Sequence, residues 1–108
     1  MSKTIVVKAE AFRKAIAINE KYLNIAFDAL VEAAKDNTPD KTLIFLLCSY
    51  VNALKTTIAI IASLLKKEID GTVVVNTPES VSIRSYMKVL RFYKNEISTN
   101  FQLSMELH

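Results

Sequence analysis

Glycine occurs once in these 108 residues, proline twice, cysteine and histidine once each, and tryptophan is absent. Each scarcity excludes something. Few turn-forming residues mean few sharp reversals, so the elements are long and the connections short. A lone glycine, Gly71, excludes a glycine-rich phosphate loop of the usual kind. A lone cysteine, Cys48, excludes a disulfide framework and fits a reducing, cytoplasmic setting, with Cys48 expected as a small core residue. The only histidine is His108, so a Cys–His or Ser–His–Asp arrangement would have to use the last residue of the sequence. No Cys/His cluster or acidic loop has metal-ligand spacing. The expectation is a protein that is not an enzyme and carries no metal or cofactor. The opening residues, MSKTIVVKAEAF, lack the apolar run of a signal peptide.

What the sequence does have is apolar surface. Hydrophobic residues make up 51% of the chain and the net charge is +3, which suits one small domain with a core and does not by itself imply nucleic acid. The densest stretch, Thr42 to Leu65, contains one charge, Lys55. Its apolar residues fall at 43, 46, 47, 50, 54, 58, 61, 64 and 65, which is helical spacing. Ile44, Phe45, Val51 and Ile60 lie off that stripe, so apolar surface covers most of the circumference. At about 36 Å such a helix is long enough for a bilayer. Lys55 near its middle would cost about 2.5–3.5 kcal/mol there, so the stretch is read as a buried bundle helix with no membrane partner. Lys55 then sits at a protomer interface, snorkels to water or serves a buried anion site, because a buried lysine without a partner is costly.

The polar residues of the stretch are ordered too. Thr42, Ser49, Asn52, Thr56 and Ser63 step by seven, three, four and seven, with Phe45 and Ala59 filling the gaps. Small hydroxyl and amide residues on a heptad stripe permit close helix contact and fix register. One chain offers two other helices to cover this one, so the stripe is expected to meet a second copy, a covering loop being the alternative.

The predicted elements are helices over about 8–36, 39–70 and 78–97 and strands over 4–8, 72–76 and 100–107, in a single domain spanning 1–108. In the first helix Phe12, Ile16, Leu23, Ala26, Leu30 and Ala33 form the inner stripe, and Glu10, Lys14, Lys21, Asp28, Glu32 and Lys35 the outer face. Ile18, Tyr22, Ile25 and Ala29 make a second apolar strip that again points to a partner. The link Asp36-Asn37-Thr38-Pro39-Asp40 closes an antiparallel α-hairpin, with Thr38 expected as cap and Pro39 in the first turn. Gly71 is read as the stop of the second helix. Thr77 and Pro78 start the third, whose inner side is Ile83, Tyr86, Met87, Leu90, Tyr93 and Ile97. Alternation at 101, 103, 105 and 107 predicts the last strand. The three strands are expected either to form a small sheet beside the helices or, at either end, to pair with another protomer by strand addition. The fold class is therefore mainly α: a long antiparallel α-hairpin plus a third helix with short strands, assembled as a homo-oligomer.

Candidate binding residues follow from charge. Arg84, Lys88, Arg91 and Lys94 step by four, three and three onto one helix face, with no acidic residue from Val81 to Asn95. Arginine forks and the nearby Tyr93 suit phosphate. A solvated face whose stems cover the core is the plainer alternative. A second basic cluster, Lys3, Lys8, Arg13, Lys14 and Lys21 against Glu10 and Glu20, offers Arg13 and Lys14, and Lys55 completes the set. Nucleic acid is one possible partner for the third helix, although the extended Thr72–Val75 run argues against a helix-turn-helix.

The α-hairpin also carries a family resemblance. An Ala-flecked first helix (Ala26, Ala29, Ala33, Ala34), the Thr38-Pro39-Asp40 turn, Ala53 and the Ile58-Ala59-Ile60-Ile61-Ala62 ending cover about residues 20–65. In layout this is similar to the helical hairpin of phage anti-defence sponges, viral proteins that sequester cyclic oligonucleotide signals. Lys41-Thr42 and Val51-Asn52 stand where that family has an Arg-Glu pair and acidic residues, so none of its binding residues carries over. The resemblance implies a cytoplasmic homo-oligomer with nucleotide pockets between protomers and no catalysis.

Overall fold

The computed structural model of the chain describes residues 3–101. In order, these form β1 (Thr4–Lys8), α1 (Ala9–Lys35), α2 (Lys41–Leu65), β2 (Thr72–Asn76) and α3 (Thr77–Phe101). The mainly helical architecture expected from periodicity is present, with three helices of 27, 25 and 25 residues and one two-stranded sheet. Helix α2 packs against both α1 and α3, which touch each other little. The molecule measures 53 × 26 × 20 Å, a long helical layer with the sheet at one end.

Local chemistry sets most boundaries. Asp40, not Thr38, caps α2: its carboxylate accepts the Thr42 and Leu43 amides at 3.0 and 3.1 Å, leaving Pro39 just outside the helix. Asn76, not Thr77, caps α3. Its side-chain oxygen accepts the Glu79 amide at 2.9 Å while the Glu79 carboxylate accepts the Asn76 amide at 3.1 Å, a reciprocal capping box. Thr77 Oγ1 instead donates to the Lys3 carbonyl.

The larger changes to the expected bounds fall at the ends of α2 and α3. Helix α2 ends at Leu65, short of Gly71, because Ile69-Asp70-Gly71-Thr72 closes a tight turn. Asp70 and Gly71 have φ of 51° and 80°, and Ile69 and Thr72 exchange both main-chain bonds at 2.9 and 3.0 Å, the signature of a type I′ turn. Helix α3 continues past Ile97 to Phe101, so Asn100 and Phe101 are helical rather than the start of a strand. The remainder of that expected strand, 102–107, lies outside the described residues.

The β-branched runs TIVVK and TVVVN pair antiparallel, with Val6 opposite Val74 and Lys8 opposite Thr72. Val73 and Val75 point inward and are buried with Ala9, Phe12, Ile61 and Leu64. A second cluster, centred on Ala26, Leu47, Tyr50, Val51, Leu54, Leu90 and Ile97, fills the other end. Burial raises the Tyr50 hydroxyl pKa far above its ordinary value, with Tyr22 adding to the shift, so the phenol stays neutral.

Two inner-stripe expectations are corrected. Cys48 is exposed rather than core, because it lies on the side of α2 away from Leu47, Tyr50 and Leu54. Met87 is 50% exposed, one position off the Ile83, Tyr86, Leu90, Tyr93 and Ile97 spacing. The second strip of α1 is largely covered by the chain itself. Tyr22, Ile25 and Ala29 pack on the central cluster, while Ile18 stays exposed.

Candidate functional site

The two features singled out from sequence, the α2 stripe and the basic face of α3, occupy different surfaces. On α2 the side holding Leu47, Tyr50, Leu54, Thr57, Ile61 and Leu64 is buried. Opposite it, Phe45, Asn52, Thr56, Ala59 and Ser63 are exposed, and Ser49 is half-buried. Phe45 alone is 67% exposed. No described loop covers the stripe. The side chains here are small because the heptad positions carry Ser, Asn, Thr and Ala, so a neighbouring backbone can come close.

Beside this face runs an open groove of about 720 Å³, lined by Lys55, Thr56, Ala59, Ile60 and Ser63 of α2 and by Pro78, Glu79 and Ser82 of α3. Lys55 is exposed, so its charge remains in water and carries no burial cost. Across the groove Glu79 pairs with Lys67 at 3.2 Å. Its carboxyl is held below the usual carboxylate range by the Asn76 amide first and the Lys67 ammonium second. The α3 wall was not legible in the sequence. It follows from β2 turning the chain back so that the start of α3 lies over the end of α2.

On α3 the four basic residues divide. Arg84, Lys88 and Arg91 are exposed, and none has an ion-pair partner among the described residues. Arg84 donates to Ser80 Oγ at 3.0 Å, which steadies the guanidinium along the helix. Lys94 turns away from them. It is half-buried, with its ammonium 3.1 Å from the Tyr22 hydroxyl and 4.9 Å above that ring, a cation–π contact tying α3 to α1. Tyr93 packs into the central cluster and meets Phe92 edge to face at 5.5 Å.

The N-terminal basic residues are also split. Arg13 pairs with Glu68, which joins α1 to the segment after α2, and reaches Glu10 at 3.9 Å. Lys14 is exposed on the outer face of α1. The fold thus gathers Arg84, Lys88 and Arg91 into one ridge and leaves Lys94, Tyr93, Lys55, Arg13 and Lys14 elsewhere. A small recess of about 240 Å³ brings Lys3 next to Arg84, beside Asn76, Thr77 and Ser80, and includes no other α3 cation. Strand β2 precedes α3 directly, so α2 and α3 do not form a helix-turn-helix.

By length and composition α2 is also a helix that could cross a membrane. Comparison with protein-family models, with curated proteins and with solved structures finds no match to this chain.

Proposed function

We propose that this chain is a non-enzymatic binding protein that assembles with copies of itself through the open face of α2 and takes phosphate-bearing ligands on the basic ridge of α3. The observation that carries the reading is the incomplete covering of α2. Only a third of the residues in its most apolar 18-residue stretch are fully buried within the chain. A second copy suits that face because the stripe is heptad-spaced, built of small residues and nearly uncharged. Asn52, near its centre, has an amide able to pair with its own copy across a two-fold axis. Chemical cross-linking is expected to give bands at multiples of 12.1 kDa. A single 12.1 kDa band over a wide concentration range rejects self-association.

The sharpest form of the ligand reading is a cytoplasmic, viral anti-defence sponge for cyclic nucleotides, in keeping with the hairpin resemblance over residues 20–65. Arg84, Lys88 and Arg91 supply the anion contacts. A convex ridge encloses nothing by itself, so a small nucleotide needs a second protomer to complete its pocket. That same convexity favours the alternative ligand, DNA or RNA, whose phosphate backbone can lie along a helix without enclosure. A purely structural assembly subunit would bind neither.

A thermal-shift screen separates the three. Cyclic oligonucleotides are expected to raise the melting temperature, and duplex DNA or RNA to leave it unchanged. The shift should vanish in the Arg84→Glu, Arg91→Glu double variant. Binding of duplex that collapses between about 50 and 200 mM salt would move the assignment to nucleic acid. No response to either class would remove the phosphate ligand altogether.

A further inference from the structure

The two strands leave their outer edges in different states. The Ala9 amide donates to the Gly71 carbonyl at 2.9 Å, flanking the Lys8–Thr72 pair. That makes it a non-hydrogen-bonded pair, and pair types alternate along an antiparallel ladder. Thr4, Val6 and Lys8 therefore turn their main-chain groups away from β2, and Thr72, Val74 and Asn76 turn theirs away from β1. The β2 edge is largely occupied. Thr72 exchanges both bonds with Ile69, and the Asn76 amide donates to the Glu79 carboxylate. Only Val74 is left there. On β1 no hydrogen bond among the described residues reaches the outward amides of Thr4, Val6 or Lys8. Ile5 and Val6 are 52% and 68% exposed at this edge. An apolar edge that the described residues leave uncovered is a pairing template.

We propose that β1 pairs with β1 of a second copy, antiparallel about a two-fold axis at Val6, to give a four-stranded sheet ordered β2-β1-β1-β2. In this register Val6 faces its own copy, Thr4 faces the second copy's Lys8, and Ile5 faces the second copy's Val7. Val6 then exchanges both main-chain bonds with its own copy, and each Lys8 amide donates to the second copy's Thr4 carbonyl, the Lys8 carbonyl being engaged at the start of α1. Val74 and Val6 join their counterparts in an uninterrupted row of four valines on the outer face. Charge fits the same register. The two Lys8 side chains are kept apart, each opposite a threonine. Each Lys3 is carried towards the start of the second copy's α1, where Glu10 is exposed. The edge is complementary to itself, as a two-fold contact requires. This contact is separate from the open face of α2 and does not depend on it.

Proline substitution tests the edge. Because the Val6 amide points away from β2, Val6→Pro removes the intermolecular donor without removing a ladder bond inside the chain. Val74→Pro does the same on β2 and serves as the control. Sedimentation velocity is expected to show the assembly mass halved by Val6→Pro and unchanged by Val74→Pro. In the unaltered protein the Val6 amide should gain hydrogen-exchange protection as concentration rises, while the Val74 amide does not. An unchanged mass in Val6→Pro, an equal loss in Val74→Pro, or a Val6 amide unprotected at every concentration overturns the proposal. If Val6→Pro does not fold, the exchange measurement on the unaltered chain decides. Ala59→Glu, on the α2 face, should leave the Val6 protection in place, so the two contacts fail separately.

Discussion

The two faces of α2 share one helix and differ in what they offer a neighbour. One presents Leu47, Tyr50, Leu54, Ile61 and Leu64, large side chains that interlock with α1 and α3. The other presents Ser49, Asn52, Thr56, Ala59 and Ser63 with a single aromatic, Phe45. Burying one large aliphatic side chain stabilises by about 1.5–3 kcal/mol, so the first face captures the two helices the chain can supply. Small residues gain little from loose cover and much more from a closely approaching backbone. Apolar content alone therefore does not say which face is core. The run of large aliphatic side chains marks it, with Phe45 on the open side the exception.

The largest contrast is expected from truncation on the covered face. Leu54 is fully buried in the central cluster, and Leu54→Ala should cost about 2–5 kcal/mol by urea denaturation. A loss below about 1 kcal/mol would mean that this side of α2 is not the packed one. Next comes the helix start that both faces share. Removing the Asp40 carboxylate leaves the Thr42 and Leu43 amides without their acceptor, and Asp40→Ala should cost about 1 kcal/mol in thermal unfolding. No change would place the cap elsewhere, with Thr38 the next residue to test.

On the open side effects on folding should be small. Lys55→Ala is expected to shift stability by no more than about 0.5 kcal/mol, as for an exposed residue. A clear gain on losing the charge would instead indicate a lysine held out of water. The smallest effect concerns pH at the groove wall. Because Glu79 has its folded pKa lowered, its contribution is complete above the ordinary carboxylate range. It is lost as pH falls through that lowered value. Glu79→Gln should flatten the acid side of a melting temperature against pH curve. An unaltered curve would show that the Asn76 and Lys67 contacts do not hold in solution.

Much of this was legible in the chain. The spacing of Leu47, Leu54, Ile61 and Leu64, the mixed-charge outer face of α1, and the β-branched runs at 4–8 and 72–76 each report a local period. Local periods survive folding when the neighbours agree. The misses share a cause. Gly71 reads equally as a helix stop or as half of an Asp-Gly turn, and the β-branched run that follows settles it for the turn. Thr77 and Asn76 both suit a cap, and only the geometry of the Glu79 side chain selects Asn76. Lys94 steps with Arg84, Lys88 and Arg91 in sequence. Its place against Tyr22 depends on where α1 passes α3, and that is a tertiary fact without a local signal. Strand addition at either end of the chain was legible as an alternative, but which edge of β1 stays open was not, since that requires knowing which strand lies beside it.

Sedimentation equilibrium on the unaltered protein and on Ala59→Glu tests the central claim most directly, because it asks whether the bare side of α2 is covered in solution. The unaltered chain should give a whole-number multiple of 12.1 kDa, and Ala59→Glu, with its fold retained by circular dichroism, a lower multiple. A folded, monodisperse 12.1 kDa species for the unaltered chain at all concentrations would contradict the account.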